Sequence, residues 1–127
     1  MPIVTIETLS DQPLSDDDAL PTPEQLQSLA DALGELFGSQ PSGTWVRARQ
    51  QRRAYYAENV IEVSPDMRPV VVEILKSDLE RDSELDIEAA AVSALVARIL
   101  GRRIDHVHVI YQPSARGRVA FGGKIVH

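Results

Sequence analysis

The chain has no cysteine in its 127 residues. That removes disulfides, thiolate nucleophiles and cysteine metal sites, and it fits a reducing compartment. It also lacks any apolar run long enough to span a membrane and any basic start leading into an apolar segment. Neither a membrane helix nor a signal peptide is therefore expected, and a cytoplasmic location is the default. Positive charge is in deficit, with 13 Lys and Arg against 19 Asp and Glu and a net charge of -6. A surface that tracks nucleic-acid phosphates needs a basic excess, so a general nucleic-acid binder is not expected.

What is present suits one compact domain over residues 1–127, since 43% of the residues are apolar and a chain of this length buries roughly two-thirds of its unfolded surface. The charge is uneven. Acid concentrates in Asp16-Asp17-Asp18 and from Asp78 to Glu88, whereas Arg47, Arg49, Arg52 and Arg53 cluster in one short stretch. Such a cluster suits a small anionic ligand.

The stretch Met1-Pro2-Ile3-Val4-Thr5-Ile6-Glu7 carries the most chemistry. If Met1 is trimmed, Pro2 becomes a free secondary amine held at the end of a β-branched strand. An α-amino group titrates near 8, and partial burial or nearby arginines lower that towards neutrality, which makes it a usable general base. Proline at position two is also common without any such role.

Ser10 to Pro21 reads as a surface loop. Thr22-Pro23-Glu24-Gln25 opens a helix with a capping box, an apolar stripe through Leu26, Leu29, Leu33 and Phe37, and a stop at Gly38. Pro41-Ser42-Gly43 turns into a strand from Thr44 to about Arg53, where Trp45, Arg47, Arg49 and Gln51 share a face. Two arginines on that face suit either an anion site or a solvated edge strand whose charges discourage aggregation, and Tyr55-Tyr56 extends the strand. Val60, Ile61 and Val63 form a candidate short strand before a turn at Ser64-Pro65-Asp66. Pro69 begins an apolar, central strand through Leu75. A helix from about Ser83 to Leu100 follows, buried along Ala89, Val92, Val96 and Ile99, with Gly101 as its stop. Ile104 to Tyr111 is a fourth strand, and Arg118 to Val126 is a hairpin or terminal strand broken at Gly122-Gly123.

Strand, helix, strand therefore occurs twice, over about residues 2–53 and 69–112, with 113–127 as a C-terminal strand or hairpin. The expected fold class is α+β: two fused β-α-β units forming a four-stranded mixed sheet, both helices on one face, with short extra strands. The bare order also fits a ferredoxin-like binding domain.

Pro2 ahead of the first strand, the doubled βαβ order and the arginine positions together resemble the tautomerase superfamily, whose members use an amino-terminal proline as catalytic acid or base. Within it, Gly43-Thr44-Trp45-Val46-Arg47-Ala48-Arg49 and Arg81-Asp82-Ser83 look most like the 5-carboxymethyl-2-hydroxymuconate isomerase branch. The resemblance implies a cofactor-free isomerase with Pro2 as catalytic group, Arg47, Arg49 and Arg81 binding a small carboxylate substrate, and a homotrimer. No lysine matches the one that accompanies proline in the macrophage migration inhibitory factor branch. The chemistry is consistent: proton transfer in a 2-hydroxy-dienoate or 2-oxo acid needs a base near neutrality and a cation for the carboxylate and the developing enolate, and arginine's planar fork meets a carboxylate with two hydrogen bonds.

Two alternatives stand beside this. A decarboxylase or hydratase on the same scaffold would use a protonated Pro2 as acid, and a non-enzymatic ligand-binding α+β domain would make Pro2 incidental. Phe121, Trp45 and Tyr55 could wall a pocket or serve as core and contact residues. His106 and His108 share a strand face but lack a third ligand at convincing spacing, so no metal is expected. Arg102-Arg103 complement the end of the second helix.

Overall fold

The computed structural model describes residues 2–10 and 21–127. The chain runs through β1 (Ile3–Ser10), α1 (Pro23–Leu36) and β2 (Trp45–Arg52), then through β3 (Val70–Leu75), α2 (Asp82–Leu100) and β4 (Val107–Tyr111). β1 and β2 pair in parallel, as do β3 and β4, and the two units meet through antiparallel β1 and β3 in the order β2-β1-β3-β4. This is the mixed α+β sheet that the sequence implies. A ferredoxin-like arrangement, with its split βαβ, does not fit, because the two strands of each unit are hydrogen-bonded neighbours.

The period of two sorts each strand's side chains between two faces. Val4 and Ile6 of β1 and Val70, Val72 and Ile74 of β3 are fully buried, packed with Leu29 and Leu33 of α1 and Val92 and Val96 of α2 in one core. Burying each such side chain stabilises by about 1.5–3 kcal/mol. The alternate residues, among them Thr5, Glu7, Arg47, Arg49, Glu73 and His108, lie on the face away from the helices. The expected stripe of α2 is turned slightly: Ala97 and Leu100 are buried with Val92 and Val96, while Ala89 and Ile99 are half-buried. The helix packs beside α1 as well as onto the sheet, and Gln25 Nε2 of α1 donates to the Ile99 carbonyl at 3.2 Å.

The helix ends follow their sequence signals. Thr22 Oγ1 accepts from the Gln25 N–H at 3.2 Å, and Gln25 Oε1 accepts from the Thr22 N–H at 2.9 Å, with Pro23 in the first turn. Gly38 and Gly101 take left-handed φ of 65° and 64°, where a Cβ would be strained. Ser39 N–H donates back to the Gly34 carbonyl at 2.8 Å, closing the end of α1.

Three expectations change. Tyr55 and Tyr56 do not extend β2, because Arg53–Tyr55 forms a 3₁₀ turn that lifts the chain off the sheet. Val60, Ile61 and Val63 form no strand: Val60 has φ 70°, incompatible with a ladder, and is 96% exposed. The nearby carbonyls of Ser64 and Met67 are taken instead by Arg53 Nη1 at 3.1 and 2.8 Å. β4 starts at Val107 because Ile104–His106 is a 3₁₀ turn, so His106 and His108 do not share a strand face. The C-terminal segment is a hairpin of β5 (Ala120–Phe121) and β6 (Lys124–Ile125). Most of the expected Ser10 to Pro21 loop, with Asp16-Asp17-Asp18, lies outside the described residues.

Since the capping box closes α1 at its start and Gln25 also bridges to α2, Thr22→Ala is expected to destabilise the fold by about 1 kcal/mol. A urea midpoint unchanged from wild type would show that the cap contributes nothing.

Candidate active site

Pro2 is buried at the head of β1, and its carbonyl accepts the Trp45 N–H at 3.1 Å. Ile3 pairs with Leu75 in the antiparallel ladder; one residue further along that register, Pro2 faces Lys76. The two lie in one cavity of about 480 Å³, lined also by Phe37, Gly43, Asp78 and Glu80.

Three pieces of local structure build its walls. The closed end of α1 supplies Phe37, Gly38 and Ser39. The turn into β2 supplies Gly43, where a Cβ would meet the Gln40 carbonyl oxygen at 2.7 Å, so only glycine fits without moving the turn. The end of β3 supplies residues 76–78, pinned by the chain that leaves β4. There the N–H groups of Ala115 and Arg116 donate to the Lys76 and Ser77 carbonyls at 2.7 and 3.2 Å, and the Ser114 hydroxyl also donates to the Ser77 carbonyl.

The electrostatics centre on Lys76, whose side chain is only 11% exposed. Its ammonium donates to Glu88 Oε1 at 2.7 Å, lies 3.6 Å from Glu80 and sits 5.2 Å from the centroid of the Phe37 ring. Glu88 Oε2 in turn accepts from the Tyr111 hydroxyl at 2.7 Å. Burial and then this bond to Glu88 push the Tyr111 phenol well above its ordinary range, so it stays a donor. Breaking a buried pair such as Lys76–Glu88 by removing one partner costs about 3–5 kcal/mol. On the rim, Asp78 is held by both arms of Arg116, a fork that keeps its carboxyl below the usual range.

Within one chain, none of Arg47, Arg49 and Arg81 lines the Pro2 cavity among the described residues. Arg47 lies on the helix-free face of the sheet, donates from Nε to Thr5 Oγ1 at 3.2 Å and lines a separate cavity of about 320 Å³ with Arg118. Arg49 is paired with Glu7 at 2.8 Å and Glu73 at 3.4 Å. Arg81 occupies the N-cap of α2 without a side-chain capping bond. Trp45 and Phe121 meet edge to face at 5.2 Å, and Tyr55 is 72% exposed, so these aromatics do not wall the Pro2 cavity. Arg102 donates to the Leu100 carbonyl at the end of α2 at 3.3 Å. Lys76 escaped the sequence reading because it follows an apolar strand and looks like the first residue of a linker. The available signal was its place opposite Pro2, which requires the β1–β3 register.

Compared with known proteins, the chain matches no family model and no curated protein by sequence. Its fold does match solved structures of the tautomerase superfamily. A fused 4-OT, solved as an asymmetric trimer, shares 14% identity over 95% of this chain and 94% of its own, with a TM-score of 0.69. The macrophage migration inhibitory factor of Trichinella spiralis shares 13% over 97% and 98%, with a TM-score of 0.71. FG41 malonate semialdehyde decarboxylase, inhibited by 3-bromopropiolate, shares 19% over 94% and 88%, with a TM-score of 0.65. At these identities the likeness is one of fold, and the set spans more than one reaction.

Tyr111 gives an alkaline test of the network behind Lys76. Tyr56 is likewise raised, to about 12, chiefly by its hydrogen bond to Glu58. Unfolded tyrosines lose their protons near 10, while these two hold theirs. Above that pH the unfolded chain binds fewer protons than the folded one, so stability is full below about pH 10 and falls as pH rises further. Tyr111→Phe is expected to be less stable near neutrality, by about 1 kcal/mol, yet to lose less between about pH 9 and about pH 11. Equal alkaline losses in urea titrations of the two proteins would exclude Tyr111 as a source.

Proposed function

We propose that the protein is a cofactor-free tautomerase or isomerase acting on a 2-hydroxy-dienoate or 2-oxo acid, with the amine of Pro2, freed by removal of Met1, as its general base. The observation that carries this reading is the place of Pro2: buried at the head of a central strand, in a cavity large enough for a small acid and facing a cation. A rigid strand holds the amine against the substrate, and the loss of water strengthens its interaction with nearby charge. Pro2 takes a proton from one end of the conjugated acid, electrons shift along the chain, and Pro2 returns the proton at another carbon. A cation beside it stabilises the charge that develops on the enolate oxygen.

Arg47 or Arg49, together with Arg81, would bind substrate carboxylate across a boundary between copies, because in one chain they lie away from Pro2. A homotrimer is the assembly proposed. Its support is the helix-free face of the sheet, where Trp45 and Ile110 stay 45% and 48% exposed, together with the fused 4-OT trimer among the similar folds. The branch proposed is that of the 5-carboxymethyl-2-hydroxymuconate isomerases, which the segments Gly43 to Arg49 and Arg81-Asp82-Ser83 resemble.

A decarboxylase or hydratase is the second reading, favoured by the carboxylates of Asp78 and Glu80 on the rim of the cavity. Nearby acid stabilises a protonated amine, which suits Pro2 as an acid. A decarboxylase is also among the similar folds.

The test is an ultraviolet assay of enol-to-keto conversion on arylenolpyruvates and 2-hydroxymuconate-type acids, with Met1 removal checked by intact mass. Pro2→Ala is expected to lower kcat by about 10²–10⁴-fold with little change in KM. With Pro2 as base, kcat/KM rises with pH through the amine's pKa; a fall over the same range would favour the acid reading. Unchanged turnover in Pro2→Ala would refute both.

A further inference from the structure

We propose that the end of the sheet opposite Pro2 carries a second binding site, in which Arg68 and Arg102 hold a phosphate group between their guanidinium forks, and that this site binds without doing chemistry. The inference stands apart from the role of Pro2.

The two βαβ units repeat one another closely at their ends. Pro69 is buried immediately ahead of β3, as Pro2 is ahead of β1, and Arg68 precedes Pro69 as Met1 precedes Pro2. Each unit closes its helix on a left-handed glycine, Gly38 at φ 65° and Gly101 at φ 64°. The N–H of the next residue then reaches back along the helix, from Ser39 to the Gly34 carbonyl at 2.8 Å and from Arg102 to the Ala97 carbonyl at 2.9 Å. Arg102 therefore stands in the second unit where Ser39 stands in the first, and Ser39 lines the Pro2 cavity. Because β1 and β3 are antiparallel, the two prolines lie at opposite ends of the sheet. The Pro69 nitrogen is an amide with no proton to give and a delocalised lone pair. What the repeat keeps at that end is a wall without a base.

The protein does not neutralise the two arginines there. Arg102 is half-buried, and its Nη1 donates to the Leu100 carbonyl at 3.3 Å, meeting the negative end of α2. Its Nε is buried without an acceptor among the described residues. Nε and Nη2 form the edge of a guanidinium that receives an oxyanion side-on, and that edge is the one left over. A buried donor without an acceptor is destabilising, so such groups are rare in folded proteins. Burial, and then the charge of exposed Arg68, hold the Arg102 guanidinium below its ordinary proton affinity. Among the described residues neither arginine is ion-paired with a carboxylate. Asp105 stands to Val107 as Arg68 stands to Val70 in the parallel ladder, yet both its oxygens accept from Arg103, at 3.0 and 2.7 Å. Since Arg102 is only half-buried, a turn of its outer torsions brings the free edge to solvent beside Arg68.

Two cations with no anion between them suit a ligand of about two negative charges. A carboxylate has two oxygens and fills one fork. A phosphate group presents three acceptor oxygens or more, enough to meet both forks at once.

Inorganic phosphate, titrated into the protein and followed by calorimetry at constant ionic strength, is the probe. It is expected to bind saturably and at least about tenfold more tightly than acetate. Arg68→Gln, a change at an exposed side chain, and Arg102→Gln should each weaken phosphate by about tenfold or more. Arg118→Gln, at the separate cavity that Arg47 lines, should leave it unchanged. Phosphate should also raise the urea midpoint of wild type and of Arg118→Gln, but not of Arg68→Gln or Arg102→Gln. Glycerol 3-phosphate tells the sources apart: tighter binding than inorganic phosphate assigns the site to a phosphate monoester, weaker binding to the free ion. Absence of saturable phosphate binding, acetate binding as tight as phosphate, or phosphate affinity unchanged in both Arg68→Gln and Arg102→Gln would overturn the inference. So would altered sedimentation of these variants with phosphate affinity kept, which would assign the pair to a contact between copies. Pro2→Ala should bind phosphate as wild type does, so failure of this site and failure of the proposed function are read separately.

Discussion

The antiparallel pairing of β1 with β3 is the constraint from which the rest follows. Each βαβ unit has one bare strand edge and one apolar face, and neither half could bury that face alone. Pairing the first strands head to tail puts both helices over a single core of valines, leucines and isoleucines. The same register sets the start of β1 against the end of β3, so Pro2 comes to face Lys76. Fold and candidate site thus share a cause. A slip of one residue in that ladder would turn Val4 and Ile6 out of the core and carry Pro2 away from its cation.

Charge is handled differently on the two sides of the sheet. On the helix-free face, Arg49 is neutralised by Glu7 and Glu73 in exposed pairs that contribute little to stability. At the Pro2 cavity, Lys76 and Glu88 are nearly buried and depend on each other and on Tyr111. A buried pair of this kind adds less net stability than a well-packed apolar pair would, and fixes geometry instead. Such a cost is easier to understand at a working site than in a purely structural core. In the proposed site, acid beside a freed Pro2 amine would oppose the effect of the lysine on it.

Much of the architecture was legible because its signals are local. Thr22 and Gln25 announce a helix start through backbone groups within one turn, Gly38 and Gly101 announce its stops, and Val70 to Leu75 reads as a buried strand from its own side chains. The misreadings fall where a local pattern competes with a tertiary one. Val60, Ile61 and Val63 have strand-forming side chains, yet the 3₁₀ turn at Arg53–Tyr55 leads them away from the sheet and Arg53 satisfies the loop carbonyls instead. His106 is taken into a similar turn.

The sequence by itself determined the two βαβ units, the faces of their strands and the amine that Pro2 would offer, because each depends on spacing or on one residue's covalent chemistry. Only the tertiary structure decided which charged residues share a cavity with Pro2. Arg47, Arg49 and Arg81 are the partners that the family resemblance implies, but within one chain Arg47 and Arg49 lie on the helix-free face of the sheet and Arg81 at the N-cap of α2, outside the cavity. Lys76, 74 positions beyond Pro2 by their numbers, faces it because two antiparallel strands bring the start of one to the end of the other.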